Sequence, residues 1–480
     1  MIRLLKTTLS RLANSRRTFW PLFLGYAAYS AILAFWVSAR VVSNDQQSYL
    51  ALVDGLRQGV FSEYSFLDPA PPETFRSPGY PLFLLGVRIV SASHCSVPIA
   101  QLGLLLVTVL LAAKVADRLC GATGLARNLV VVFAFPSAQL PFYAGLLYPE
   151  TLMAALLMAY VAVEVLVDPR RAWLRRFCTG TLWGVTILVR PIFLFLPLFV
   201  ILADALVSRR RLLMILRERL PAVLIAGIVL FPYAAWNRRH HGIWTVVPVE
   251  GAGANALYGF WQHRLPGYVP PRYWLGTHMG EEIFPLTRQV DVPRHAAAFE
   301  ADWDEIYARA RPFLSDADRE RAGIMAAHPE LFATYSTTYT IARRRAIEAV
   351  ALRRILSEPS YYAATRVYTG LRLWVAGIDK RRLRGARSSQ DVLWAVYPTL
   401  ATAGLFAGLL YSVSLLLRRQ LPLSGCAAVL WPILYCWLAH LPVSIQSRYT
   451  VPVHPLVFAL VAVSIATAAC QRACSTSAGR

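Results

Sequence analysis

The stretch FWPLFLGYAAYSAILAFWVSA, from Phe19 to Ala39, decides the fold class of this chain. It holds no charged residue, and as an α-helix it would run about 31 Å, the thickness of a bilayer's hydrocarbon core. Arg3, Lys6, Arg11, Arg16 and Arg17 precede it, the flank expected of a first span whose N-terminus stays in the cytoplasm. Val37-Ser38-Ala39 has the small-residue pattern of a signal-peptidase site. The apolar run exceeds a signal-peptide core, however, so an uncleaved first span is expected.

Composition extends this reading to the whole chain. Hydrophobic residues make up 56% of the 480 residues, and mean hydropathy is +0.45. Several further runs are long enough to cross a bilayer, where a soluble chain would seldom contain more than one. The net charge of +22 comes almost wholly from arginine. Much of it sits in short clusters between apolar runs, where it orients spans, and no basic stripe interleaved with aromatics is present. Nucleic acid is therefore not an expected partner. The seven cysteines include no paired zinc-type spacing and no disulfide framework.

Basic clusters at the N-terminal tail, Lys114–Arg127, Arg170–Arg176, Arg209–Arg219, Arg418-Arg419 and the C-terminal tail are expected on the cytoplasmic side. Joining them requires spans near 19–39, 97–118, 127–145, 151–168, 177–190, 191–207, 220–237, 392–416, 423–441 and 450–470. The expectation is an all-α polytopic membrane protein of about ten helices, with both termini inside. Residues 1–237 would form a seven-span membrane module whose first outer loop is 40–96. Residues 238–391 would be one large outer-face region, and 392–480 a three-span module. Tyr80–Val90 is too short to span and would lie on the outer surface. Arg190-Pro191 would break Phe177–Val207 into a hairpin. Within the large loop, Tyr339–Leu356 and Tyr361–Gly377 show helical spacing of apolar residues. The second, with Tyr361, Tyr362, Tyr368, Trp374, Arg366 and Arg372, would suit the headgroup layer.

Chemistry concentrates in the first outer loop. Ser43-Asn44-Asp45-Gln46 places an acid at the mouth of a membrane helix, and Arg76-Ser77-Pro78-Gly79-Tyr80-Pro81 places a cation before a tight turn. A carboxylate to accept a proton and a guanidinium to hold a phosphate are what a lipid-phosphate enzyme requires. Each has a plainer reading: a solvated helix cap for Asp45, interfacial snorkelling for Arg76. Glu150 would equally cap its span, and Arg190 and Arg448 would serve as topology anchors. Glu164 and Asp204, with Lys114 and Asp117, read as snorkelling charges. Lys380–Arg384 reads as a patch attracted to anionic headgroups. His240-His241, His263 and His278 lack zinc-ligand spacing.

These motifs resemble, in order and over almost the whole chain, the membrane-embedded glycosyltransferases of the GT-C type. The nearest groups are the protein O-mannosyltransferases, the lipid A aminoarabinose transferases and the rhizobial galacturonic acid transferases. Asp45 is similar to that family's first-loop catalytic acid, and Arg76-Ser-Pro-Gly-Tyr-Pro to its basic residue followed by prolines. Leu147-Tyr148-Pro149-Glu150 resembles its second acidic position, Leu188-Val189-Arg190-Pro191 its arginine–proline turn, and Ser447-Arg448-Tyr449 its last outer turn. Gly242–Tyr258 is similar to the stretch that opens its large outer loop. The chain departs from relatives that carry two adjacent first-loop acids, since Asn44 and Gln46 flank Asp45.

The resemblance implies inverting transfer of a hexosyl or pentosyl unit from a polyprenyl-phosphate donor to an envelope lipid, glycan or protein. The site would lie on the periplasmic face of a bacterial inner membrane. Asp45 and Glu150 would be catalytic, and Arg76, Arg190 and Arg448 would bind the donor phosphate. No cofactor and no obligatory metal are implied, and membrane lipids are the surrounding partners. The alternative class is a transporter or flippase of lipid-linked substrates, which would show internal repeats and midplane charges. Neither is visible in the sequence.

Overall fold

The computed structural model describes residues 16–41, 44–93, 95–121, 124–208, 212–251, 253–265, 292–328, 331, 334–375 and 388–478. The N-terminal basic residues before Arg16, Arg209, His278, Lys380–Arg384 and Arg480 lie outside them.

Among the described residues all regular structure is helical. In the first half run α1 (Arg16–Ser38), α2 (Asn44–Arg57), α3 (Gly79–Val90), α4 (Ser96–Leu119), α5 (Leu125–Ala134) and α6 (Gln139–Gly145). They are followed by α7 (Glu150–Leu166), α8 (Ala172–Val189), α9 (Leu196–Ser208) and α10 (Leu212–His241). The region after α10 holds α11 (Gly253–Trp261), α12 (Val292–Ala310), α13 (Asp316–Ala327), α14 (Thr337–Ser357) and α15 (Pro359–Trp374). The chain ends with α16 (Ser389–Leu417), α17 (Leu423–His440) and α18 (His454–Ala478).

Local chemistry sets the boundaries. Asp168 accepts from the Arg170 N–H and precedes Pro169, so α7 stops and the chain turns by 118° into the segment carrying α8. Ser388 and Asp391 close a capping box at the start of α16. Arg190, ahead of Pro191, is extended at φ −141° and ends α8. The break expected at Arg190-Pro191 is therefore present.

Among the described residues four helices are long and apolar enough to cross a membrane: Arg17–Ser38, Ser96–Leu119, Asp391–Leu417 and Ser447–Gln471. Two bent pairs, α5 with α6 and α7 with α8, raise the number to six if each is one span. The stretch expected as one span at 127–145 is thus broken, with a 62° bend. Among the described residues length and composition do not reach the expected ten spans. Bundle residues such as Ile32 (73%), Ile228 (70%) and Leu400 (64%) are nevertheless widely exposed, as lipid-facing side chains are. The chain is a multi-pass membrane protein.

Helix α8 packs along α10 and α4 along α7. The first contact depends on Gly180 and Gly184, four residues apart on one face: a Cβ on Gly180 would lie 2.4 Å from the Ala222 carbonyl oxygen. A separate apolar core joins α11, α12 and α14 through Tyr258, Trp261, Phe299, Trp303 and Val350. The two helices expected from spacing in the large loop are α14 and α15. The headgroup placement of α15 needs correction on one face: Arg372 and Trp374 are buried. Arg366 donates to the carbonyls of Gly259, Leu441 and Val443. These bonds hold this face against protein.

Candidate functional site

Asp45 stands in the first turn of α2. A solvated cap would leave its carboxylate in water, yet the side chain is only 15% exposed. Arg76 Nη2 donates to Oδ1 at 2.5 Å, and Arg448 Nη1 donates to Oδ2 at 3.4 Å. Glu150, the first residue of α7, is fully buried. Its Oε1 accepts from Arg190 Nη2 at 2.6 Å and lies 4.0 Å from Arg448 Nε. Arg76, Asp45, Arg448, Glu150 and Arg190 therefore form one line of alternating charge. All five residues singled out in the sequence meet here.

Aromatic rings cover the cations. The Arg76 guanidinium lies 4.5 Å from the Tyr49 ring, and Arg448 lies 5.1 Å from Tyr148. Arg190 and Arg448 both stand over Tyr449, at 5.6 and 5.7 Å. Such faces strengthen a cation's hold in a partly dry site and leave the guanidinium edges for an anion.

The supporting groups were not anticipated from the sequence. Arg76 Nε donates to Ser48 Oγ at 3.2 Å and Nη1 to the Tyr49 hydroxyl at 3.2 Å. The backbone N–H groups of Phe75 and Arg76 donate to Glu73 Oε1 at 2.7 and 2.9 Å. Gly79 fixes the turn after Arg76, because a Cβ there would sit 2.6 Å from the Leu188 carbonyl carbon. Only glycine lets this loop rest on the end of α8, two residues before Arg190. Gln101 then ties the two halves. Its side chain accepts from the Tyr80 hydroxyl at 3.1 Å and donates to the carbonyls of Ala144 and Leu146, just ahead of Glu150. A glutamine within the apolar run Ser96–Leu119 was the one available signal, since a buried amide needs partners.

Burial would raise the Asp45 pKa, but the Arg76 and Arg448 charges outweigh it and hold the carboxylate well below its usual range. Glu150 Oε2 and Arg448 Nε are buried without hydrogen-bond partners. The arrangement holds oxyanions tightly and keeps polar capacity in reserve. Among the described residues no three His, Cys, Asp or Glu side chains converge as metal ligands. His241 instead bonds Thr337 Oγ1 at 2.7 Å and the Glu73 carbonyl at 3.1 Å.

Glu164 and Asp204, expected to snorkel separately, are paired. Arg219 lies 2.9 Å from Glu164 and 3.0 Å from Asp204. Thr179 donates to Glu164 and Trp431 to Asp204. Ionisable groups within membrane helices commonly pair with one another in this way. Glu164 is about 21 Å along α7 from Glu150 by helical rise, so this cluster is separate from the Asp45 site.

The chain is similar to the crystal structure of ArnT from Cupriavidus metallidurans bound to undecaprenyl phosphate. Identity is 13%, covering 95% of this chain and 78% of that one, with a TM-score of 0.42. It is likewise similar to the apo state of the same protein, at 12% identity over 94% and 78%, with a TM-score of 0.41. No family model and no curated protein matches the chain.

Proposed function

We propose that the chain is an integral-membrane glycosyltransferase that moves a sugar from a polyprenyl-phosphate donor to an envelope lipid, glycan or protein. In this reading the site faces the periplasmic side of a bacterial inner membrane, both termini are cytoplasmic, and residues 238–391 form the outer region over it. The observation that carries the reading is the line Arg76–Asp45–Arg448–Glu150–Arg190. Three guanidiniums against two carboxylates leave one positive charge in a largely buried, ring-lined site beside apolar helices. A lipid phosphodiester supplies the matching charge and the apolar tail.

At rest Asp45 is a poor base, because two guanidiniums hold its charge. A donor phosphate competes for Arg76 and Arg448, and Asp45 then regains basicity. The acceptor hydroxyl or amine attacks the anomeric carbon opposite the phosphate and passes its proton to Asp45. The bond from the anomeric carbon to the phosphate oxygen breaks, and polyprenyl phosphate departs with the electron pair. The anomeric configuration inverts. Arg76, Arg190 and Arg448 stabilise charge developing on the leaving phosphate, while Glu150 holds Arg190 and Arg448 in place.

The test is to incubate the purified protein with labelled polyprenyl-phosphate sugars and envelope extracts. Transfer of label to an extractable acceptor supports the reading. Movement of the intact donor across a bilayer without transfer would favour a flippase.

A further inference from the structure

Two acids of the first outer loop, Glu63 and Glu73, are each only 1% exposed. Neither touches the Asp45 carboxylate, yet both reach Arg76. Ser48 donates to Glu63 Oε1 at 2.5 Å and accepts from Arg76 Nε at 3.2 Å. Glu73 Oε1 takes the backbone N–H groups of Phe75 and Arg76. The Glu73 N–H bonds the Phe61 carbonyl at 3.0 Å, which ties the two acid-bearing segments of the loop together.

We infer that Glu63 and Glu73 are positioning residues for Arg76, acting as a pair that holds one proton: ionised Glu63 fixes the guanidinium through Ser48, and neutral Glu73 fixes the backbone beneath it. This rests on the phosphate-binding role proposed for Arg76. Burial of both acids supports it, since two charges on neighbouring buried carboxylates repel. Glu73 Oε2 has no hydrogen-bond partner. A negative charge there would carry its full desolvation cost, whereas a proton removes it.

The charged and titratable groups around Glu73 are Glu63, Arg76, Tyr233 of α10, and His241 on its main-chain carbonyl. Burial first and the Glu63 charge second push the Glu73 carboxyl well above its usual range, against the pull of Arg76. With its folded pKa raised, Glu73 is neutral at neutral pH and ionises only as pH rises into the alkaline range. The added charge then draws Arg76 into the loop and away from a phosphate.

The experiment measures binding of undecaprenyl phosphate to the full chain in nanodiscs. Glu63→Gln and Glu73→Ala are expected to weaken binding roughly tenfold each, about one hydrogen bond to a charged group. Glu73→Gln, which keeps the neutral acceptor, is expected to recover most of the loss. The parent's affinity is expected to fall from neutral to alkaline pH, and that of Glu73→Gln to stay level. The inference is overturned if Glu73→Gln binds as weakly as Glu73→Ala, or shows the parent's alkaline fall. Arg76→Ala separates the two ideas. If it binds like the parent, Arg76 holds no phosphate and the pair's role fails with it, while the donor site moves to Arg190 and Arg448. If it fails to bind while Glu63→Gln binds normally, the pair's role alone is wrong.

Discussion

Arg448 is 403 residues from Asp45 along the chain, and its Nη1 lies 3.4 Å from the Asp45 Oδ2. This contact joins the segment that follows α1 to the turn before the last helix. Through Glu150 it reaches the end of α8 as well, so the site exists only when the whole bundle is assembled.

Arg76 presents a planar fork between Asp45 and Ser48. Arg76→Ala is expected to abolish high-affinity donor binding. Arg76→Lys is expected to restore only part, since an ammonium cannot serve Asp45, Ser48 and a phosphate with one fixed fork. Binding assays with undecaprenyl phosphate check both. Parent-like affinity in both variants would move the phosphate site to Arg190 and Arg448.

Glu150 is buried, and its partner Arg190 is 16% exposed. Glu150→Gln leaves that guanidinium uncompensated, at a cost of about 3 kcal/mol in stability. Thermal unfolding in detergent is expected to show the loss. Turnover is expected to fall less than in an Asp45 variant, because Glu150 holds the arginines and takes no proton.

Much of this site was legible in the sequence because its five charges stand at the mouths of apolar runs, where a charge is conspicuous. What pairs with what was not. Asp45 read equally as a cap until Arg448 arrived from 403 residues away. Glu63 and Glu73 escaped notice because an acid in a loop is normally solvated. Their burial comes from the loop's own packing, with Tyr64 and Phe61 inside. Helical content was readable from hydropathy, and the turn after Leu166 from the basic cluster that follows it, but the 62° bend after Ala134 was not. Glu164 and Asp204 were misjudged because their partner Arg219 lies on another helix.

The pH dependence follows from Asp45. Its folded pKa is lowered, so its contribution to stability is present above the ordinary aspartate value near ~3.9. That contribution is lost only as pH falls further, through the depressed folded value. In turnover the donor phosphate diverts Arg76 and Arg448, and Asp45 moves upward. The acid limb of kcat is therefore expected at higher pH than that of kcat/KM, which reports the free protein. Coincident acid limbs would mean that the donor leaves the Asp45 pairs intact.

The most direct test is turnover of Asp45→Asn at saturating donor and acceptor, with membrane insertion and donor binding followed alongside. The substitution keeps size and removes the base, so insertion and donor binding are expected to survive. Transfer is expected to fall by about 10²–10⁴-fold, the usual worth of general-base assistance. Parent-like turnover in Asp45→Asn would contradict the account: Asp45 would then be only an anchor for Arg76 and Arg448.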